Sequence, residues 1–234
     1  MTNDLKFRHE FKYQCNIAQA EIIKQRAHSI MDIDKHSAES GYCVRSLYFD
    51  NYANKCFFEN ENGTDCREKY RLRIYNADPS RISLECKRKE HGKTHKTSCL
   101  IDMEQYYNLT QCQNLNIAPD NNRLLNKFIY LIKTQHMKPA VIVEYDRIPF
   151  VYPHGNVRVT LDMNIRSSDM LDSFFDKTLP TRPILPSGQH LLEVKYDEFL
   201  PSFIKEVLML ENLNQTTFSK YYLCRKFSFG GKTL

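Results

Sequence analysis

Residues 69–75 read KYRLRIY, and a second segment, LECK, follows shortly after. Because a β-strand sends alternate side chains to opposite faces, Arg71 and Arg73 share one face of the first segment. Glu85 and Lys87 share one face of the second segment in the same way. Apolar or aromatic side chains take the opposite positions. The alternation predicts two strands of a sheet that has one apolar face and one charged face.

Segments with this two-residue alternation recur along the chain, and each is rich in β-branched or aromatic residues. They predict eight strands, over residues 6–15, 42–50, 67–76, 81–89, 93–102, 140–151, 156–165 and 189–196. Apolar residues at helical spacing predict three helices, over 18–31, 123–133 and 202–211. The stretch 167–187 contains three prolines and predicts an irregular surface connection.

Composition indicates an ordinary globular protein. The 234 residues are 41% hydrophobic and contain no low-complexity tract, so we expect one domain over 1–234. The net charge of +5 is too small for a polybasic nucleic-acid tether. The eight cysteines show no metal-ligand spacing, and neither a signal peptide nor a membrane span is recognisable. These features predict a cytoplasmic protein with free thiols.

The charged positions of the other segments also fall on shared faces. Lys12 shares a face with Glu10, and Glu193 shares one with Lys195, whereas Arg45 is a lone charge on a mostly apolar face. Such an arginine needs an anionic partner. Glu10 and Glu85 are interpreted as carboxylates that pair with neighbouring cations. Periodicity alone leaves open whether the charged faces point inward or outward.

The sign of these charges favours a common anionic ligand. The shared faces hold mostly basic residues, namely Arg8, Lys12, Arg45, Arg71, Arg73, Lys87, Arg147 and Arg158. Like charges that converge repel one another, so a converging arrangement requires a polyanion. A barrel of about eight strands has a bore wide enough for one slender ligand. A chain of phosphates fits such a bore, and a nucleic-acid duplex does not.

Seven motifs in sequence order carry a resemblance to a known family. They are VRSLYFD (44–50), KYRLRIY (69–75), LECKRK (84–89), EYDR (144–147), VRVTLD (157–162), LEVKY (192–196) and FSKY (218–221). Together they resemble the VTC domain, the polyphosphate polymerase branch of the triphosphate tunnel metalloenzymes. The resemblance implies an α+β fold: an eight-stranded antiparallel β-barrel, the triphosphate tunnel, with helices packed around the outside. It also implies transfer of the γ-phosphoryl group of ATP to inorganic polyphosphate, with Mn²⁺ or Mg²⁺ as cofactor.

The resemblance also implies roles for individual residues. The residues that match the family's catalytic positions are Arg71, Arg73, Lys87, Arg147 and Arg158. All five are expected to bind phosphate, together with Lys12, Arg45, Lys96, Ser219 and Lys220. Glu193 resembles the metal-binding glutamate of the family. Because a terminal phosphate oxygen is already ionised at neutral pH, no general base is assigned.

Three function classes remain open on these grounds: a polymerase, a triphosphate or polyphosphate hydrolase in the same tunnel, and a non-catalytic polyphosphate-binding or nucleic-acid-binding module. The related phosphatases and cyclases begin with Glu-x-Glu-x-Lys, whereas this chain has Arg8 at the first position, which favours the polymerase. No RNA-recognition signature is present, so nucleic acid is not an expected partner. A separate membrane partner is compatible with the resemblance, and the oligomeric state is not predicted.

Overall fold

The computed structural model describes residues 7–35, 37–120, 122–208 and 213–230. Ten strands occur in this part of the chain. They are β1 (His9–Asn16), β2 (Asp32–Ile33), β3 (Tyr42–Asp50), β4 (Arg67–Tyr75), β5 (Asp78–Glu90), β6 (Lys93–Ile101), β7 (Lys138–Tyr152), β8 (Val157–Ser168), β9 (Arg182–Pro183) and β10 (Gln189–Tyr196). The eight long strands correspond to the eight that the alternation predicts, with ends that differ by up to three residues.

The long strands form one antiparallel sheet in the order β1-β10-β8-β7-β3-β4-β5-β6. The sheet curls until its two edge strands meet at Arg8 and Thr94. The amide of Arg8 donates to the Thr94 carbonyl oxygen at 2.9 Å, and the amide of Thr94 donates back at 3.1 Å. The predicted eight-stranded α+β tunnel fold is therefore confirmed as a curled sheet whose edges are joined at this bridge.

Six helices lie along the sheet. They are α1 (Ile17–Ile30), α2 (Lys55–Glu61), α3 (Met103–Gln111), α4 (Arg123–Gln135), α5 (Ser202–Leu208) and α6 (Lys220–Gly230). Three of them, α1, α4 and α5, correspond to predicted helices, and residues 209–211 of the third prediction lie outside the described residues. Asn16 and Gln19 form a capping box at the start of α1, as Asp102 and Gln105 do for α3.

The outer face of the sheet is apolar and packs against the helices in two clusters. In the larger cluster, Phe128 of α4 lies edge-on to Phe49 of β3 and stacks on Tyr70 of β4. In the smaller one, Ile23 of α1 packs with apolar residues of β1, β8 and β10, including Val194. Burial of this face leaves the charged face on the concave side of the sheet. No helix within the described ranges is long and apolar enough to span a membrane.

Candidate active site

The concave side of the sheet encloses an open cavity of about 970 Å³ with a strongly basic wall. Three glutamates line it, Glu10, Glu61 and Glu193, against thirteen basic residues. The basic residues are Arg8, Lys12, Arg67, Lys69, Arg71, Arg73, Lys87, Lys89, Lys96, Arg147, Arg158, Lys195 and Lys220. This surplus of cations makes the cavity a site for a polyanion.

Strand register explains why these side chains converge. Arg71 lies opposite Tyr48 on one side and opposite Glu85 on the other. Arg73 lies opposite Ser46, two residues along the same face. Because paired residues of antiparallel strands point to the same side, the alternation within each strand becomes a continuous charged wall across several strands.

Glu85 holds three of the cations in place. Its carboxylate accepts two hydrogen bonds from the Arg71 guanidinium, at 2.8 and 2.7 Å, and one from Lys96 at 3.0 Å. Burial by itself would raise the pKa of Glu85, but Arg73, Arg71 and Lys96 outweigh it and hold the pKa well below its usual range. The carboxylate therefore stays ionised and fixes the direction of the Arg71 side chain.

Arg73 is held much more loosely than Arg71. Its shortest contacts are 3.3 Å to the Ser46 hydroxyl, 3.5 Å to the Tyr145 hydroxyl and 3.5 Å to the Glu85 carboxylate. Hydrogen bonds of good geometry are shorter than these contacts. The guanidinium thus keeps most of its donor capacity for a ligand in the cavity.

A second carboxylate, Asp162, organises the opposite wall. Two nitrogen atoms of Arg147 donate to its oxygens at 2.6 and 2.8 Å, and Lys220 Nζ lies 2.5 Å from it. Both cations also lie over the Tyr145 ring, at 5.1 and 4.7 Å from its centre. Lys220 is the first residue of α6, so one cation of this wall comes from a helix and the others come from strands.

Glu10 and Glu193 form the third carboxylate group. Lys87 Nζ lies 2.8 Å from both Glu10 oxygens, and Lys12 Nζ lies 2.9 Å from one of them. Glu193 forms an ion pair with Lys195 and lies 3.9 Å from Lys12. Burial would raise the pKa of Glu193, but Lys195, Lys220 and Lys12 lower it well below its ordinary value. The predicted pairing of Glu10 and Glu85 with neighbouring cations is confirmed.

The donor set at Glu193 fits a divalent cation of the Mg²⁺ type. Such an ion takes oxygen ligands and is often bound through one or two carboxylates, with substrate phosphates completing its coordination. Glu193 is ionised and faces the cavity, and Glu10 lies 2.9 Å from the same Lys12 ammonium. Within the described residues, no three His, Cys, Asp or Glu side chains cluster closely enough to hold a metal by themselves.

Nine of the ten predicted phosphate-binding residues line the cavity, as does Glu193. The nine are Lys12, Arg71, Arg73, Lys87, Lys96, Arg147, Arg158, Ser219 and Lys220. Arg158 has the most peripheral contacts of these residues, an ion pair with Asp34 at 3.0 Å and a 3.4 Å contact with the Tyr42 hydroxyl. Their convergence is what the resemblance implies, and their roles in binding and catalysis remain predictions.

Arg45 requires a correction, because the structure does not place it among the cavity residues. It forms a buried ion pair with Glu144, and it donates to the carbonyl oxygens of Phe174 and Asp176 at 2.8 and 2.6 Å. The physical reason is parity, since Ser46 and Tyr48 of the same strand face the cavity and Arg45 faces the other way. The anionic partner that its apolar surroundings require is therefore a carboxylate of the protein.

Arg8 was predicted only as a basic residue of a shared face, and four further cations that line the cavity were assigned no role: Arg67, Lys69, Lys89 and Lys195. All four continue the alternation of the assigned residues on β4, β5 and β10, so the signal was present in the sequence. Lys69 donates to the Asn60 side chain at 2.6 Å and to the Ser219 hydroxyl at 3.1 Å. Burial, with smaller contributions from Arg67 and Lys87, lowers the pKa of Lys69 to about 7.

Comparison with known proteins gives a family and a fold. The family model of the VTC domain matches residues 7–229. A proposed adenylyl cyclase from Hippeastrum, with a dominant triphosphatase activity, is 13% identical with a TM-score of 0.56, covering 98% of this chain and 97% of that one. A proposed adenylate cyclase from Vibrio parahaemolyticus is 10% identical with a TM-score of 0.50, covering 93% and 97%. At these identities the likeness concerns the fold. No curated protein matches the chain.

Proposed function

We propose that this chain, which belongs to the VTC domain family, transfers the γ-phosphoryl group of ATP to the end of an inorganic polyphosphate chain. The observation that carries the proposal is the cavity wall, where thirteen basic side chains face three glutamates inside a curled sheet of eight long strands. A linear chain of phosphates matches the charge of this wall and is slender enough for the bore of a curled sheet of eight strands. The triphosphate of ATP is also a linear chain of phosphate groups and can bind to the same cations.

In this reaction a terminal oxygen of the polyphosphate attacks the γ-phosphorus of ATP. A new phosphorus–oxygen bond forms as the bond from the γ-phosphorus to the β,γ-bridging oxygen breaks, and its electron pair leaves with ADP. Phosphoryl transfer of this kind needs alignment and charge neutralisation more than covalent participation by the protein. A wall of fixed cations supplies both.

The side chains divide into two groups in this mechanism. We assign Arg71, Arg73, Lys87, Arg147 and Arg158 to the transferring and leaving phosphates. Lys12, Lys96, Ser219 and Lys220 hold the neighbouring phosphates. The carboxylates of Glu85 and Asp162 are positioning groups, because each fixes an arginine in advance and so lowers the reorganisation needed during transfer.

Glu193, with Glu10 beside it, is the residue that would hold Mn²⁺ or Mg²⁺. When bound, such an ion neutralises charge on the nucleotide phosphates and orients them. Lys12 and Lys195, which contact Glu193 in the ligand-free protein, would then be available to phosphate oxygens.

One observation favours transfer to phosphate over transfer to water. Glu10 and Glu193 both pair with lysines, and those lysines help to hold their pKa values low although burial would raise them. The lysines that hold these carboxylates ionised also line the cavity, where they can neutralise an acceptor phosphate. A terminal phosphate oxygen is already ionised and needs no proton acceptor, whereas an attacking water molecule does, and Arg8 replaces the first glutamate of the Glu-x-Glu-x-Lys motif of the related phosphatases.

The direct test is to incubate the purified full chain with ATP and either Mn²⁺ or Mg²⁺. The proposal expects ADP together with long-chain phosphate that acid hydrolyses to orthophosphate. Orthophosphate released without any polymer would identify a hydrolase. Tight polyphosphate binding without turnover would identify a non-catalytic binding module.

A further inference from the structure

The cations of the cavity wall fall into two classes according to their partners. Ten of the thirteen lie within 4.0 Å of a carboxylate. Their ion pairs are Arg8–Asp197, Lys12–Glu10, Arg71–Glu85, Arg73–Glu85, Lys87–Glu10, Lys96–Glu85, Arg147–Asp162, Arg158–Asp34, Lys195–Glu193 and Lys220–Asp162. These ten form what we call the paired wall.

The remaining three, Arg67, Lys69 and Lys89, have no carboxylate within 4.0 Å among the residues that the structure describes. They also lie together. Arg67 is the register partner of Lys89 at the end of β4 and β5, and Lys69 follows on the same face of β4. We call these three residues the unpaired mouth.

Lys69 shows how the protein holds a cation at this mouth. Within the described part of the chain, its ammonium contacts only neutral groups, the Asn60 side chain, the Ser219 hydroxyl and the face of the Tyr221 ring at 5.2 Å. Burial and the nearby Arg67 and Lys87 disfavour its charge, and carboxylates at Glu59 and Asp65 act on Arg67 only from beyond ion-pair distance. A phosphate chain would supply the missing counter-charge.

The two classes differ in what a ligand must displace. An anion at the paired wall competes with carboxylates that already occupy the cations, whereas an anion at the unpaired mouth competes with none. Affinity for metal-free phosphate groups is therefore greatest at the mouth. ATP arrives with a metal and reacts at one phosphorus, and it needs the fixed geometry that the paired carboxylates provide.

We propose that Arg67, Lys69 and Lys89 form the subsite that holds the body of the polyphosphate chain, whereas the triphosphate of ATP is bound at the paired wall. This inference rests on the proposed function and adds the orientation of the two substrates in the cavity. The polymer lies toward the unpaired mouth, and the nucleotide lies on the other side of the transfer point.

The test compares a long ligand with a short one on single variants and on the triple variant. The variants Arg67→Gln, Lys69→Gln and Lys89→Gln each remove one positive charge. Arg81→Gln and Lys133→Gln are matched controls, since both residues are exposed and neither lines the cavity. Binding of long-chain polyphosphate and of tripolyphosphate is measured by calorimetry, and the KM for ATP is measured in the polymer-forming assay.

We expect each mouth variant to weaken long-chain binding about tenfold, as for loss of one charged hydrogen bond, and the triple variant to weaken it by much more. Tripolyphosphate binding and the KM for ATP should change less than about twofold, because the paired wall is intact. Equal losses for both ligands, or losses no greater than in the controls, would overturn the subsite. If Lys69→Gln does not fold, Arg67→Gln, Lys89→Gln and their double variant provide the same comparison.

The assay separates failure of the subsite from failure of the proposed function. If the unmodified chain forms polymer and the mouth variants behave like the controls, the subsite is wrong and the polymerase stands. If no polymer forms but long-chain binding depends on the mouth, the polymerase is wrong and the subsite stands.

Discussion

Arg45 and Arg73 lie on neighbouring strands, one residue out of register, and face opposite sides of the same sheet. Their exposed fractions are similar, 2% and 6%, so burial does not distinguish them. The two arginines differ in their hydrogen-bond partners. Arg45 is held by Glu144 and by two carbonyl oxygens at 2.8 and 2.6 Å, whereas the contacts of Arg73 are all 3.3 Å or longer.

The difference shows that burial alone does not make an arginine a ligand-binding residue. A buried arginine indicates a ligand site when its N–H groups have no close acceptor in the protein. On the outer face, two nitrogen atoms of Arg45 donate three hydrogen bonds to protein groups, and these bonds join β3, β7 and the segment after β8. On the inner face, Arg73 is buried but makes no short hydrogen bond, because the acceptors around its guanidinium lie at the limit of hydrogen-bond distance. Three experiments test whether the outer ion pairs are structural and the inner residues functional, and two more test the unpaired mouth through its pH dependence.

The largest effect is expected for Glu193→Gln on the inner face. This change removes the carboxylate charge assigned to the metal, so turnover with Mn²⁺ or Mg²⁺ should fall to background while polyphosphate binding is retained. Steady-state turnover and calorimetry on the same preparation provide the measurement. Glu144→Gln, on the outer face, is the matched control, and its turnover per folded molecule should be normal. Unchanged turnover in Glu193→Gln would remove the metal assignment.

Arg45→Met tests the outer face directly. It leaves the buried Glu144 carboxylate with Arg166 as its remaining partner, so we expect a loss of about 3 kcal/mol of unfolding free energy, the lower end of the cost of breaking a buried ion pair. Denaturant titration measures this loss. Turnover per folded molecule should equal that of the unmodified chain. A variant of normal stability with impaired turnover would show that Arg45 does contribute to phosphate binding or catalysis.

Arg73→Gln should show the reverse pattern. Glu85 keeps Arg71 and Lys96 as partners when Arg73 is lost, so the fold should lose little stability, but loss of a hydrogen-bond donor from a transition-state site costs about 100-fold to 1,000-fold in kcat. Turnover and denaturant titration are compared with those of Arg45→Met. A large loss of stability without a kinetic defect would show that Arg73 belongs with the structural pairs.

The smallest effect concerns pH and the unpaired mouth. Because the pKa of Lys69 is lowered from 10.5 to about 7, the free protein loses this proton above pH 7, and binding of a phosphate chain must restore it. Long-chain affinity should therefore fall with rising pH, by up to about tenfold per unit above pH 7. Calorimetry at several pH values measures the slope, and Lys69→Arg should make it shallower.

The same linkage fixes the sign for stability. Between pH 7 and 10.5 the unfolded chain holds the lysine proton that the folded chain has lost, so this residue makes the free energy of unfolding rise with pH. Below pH 7 its destabilising effect is fully present. A stability profile in which Lys69→Met removes no part of this rise would contradict the lowered pKa.

Much of the fold was predictable because strand periodicity is a local property. The alternation in residues 69–75 identified β4, and the same signal identified all eight long strands. The helices α2, α3 and α6 were missed. The first two are short, at 7 and 9 residues, and they are held in place by packing against the sheet more than by a repeating apolar stripe.

The site was predictable in part. Parity placed Arg71 and Arg73 on one face, and it also identified Arg45 as a lone charge on an apolar face. The partner of Arg45 could not be inferred, because Glu144 lies on β7, 99 residues away along the chain. Lys220 was assigned only through the family resemblance, and its contact with Asp162 depends on where α6 docks.

By itself, the sequence determined which side chains share a face, because the two-residue period of a strand follows from backbone geometry that every strand obeys. It also determined that those faces carry an excess of positive charge. Only the tertiary structure decided which charged faces converge and which cations have carboxylate partners. Those properties depend on distances between strands far apart in the chain, such as β3 with β7 and β1 with β10. The difference between the paired wall and the unpaired mouth is one of the properties that only the tertiary structure decides.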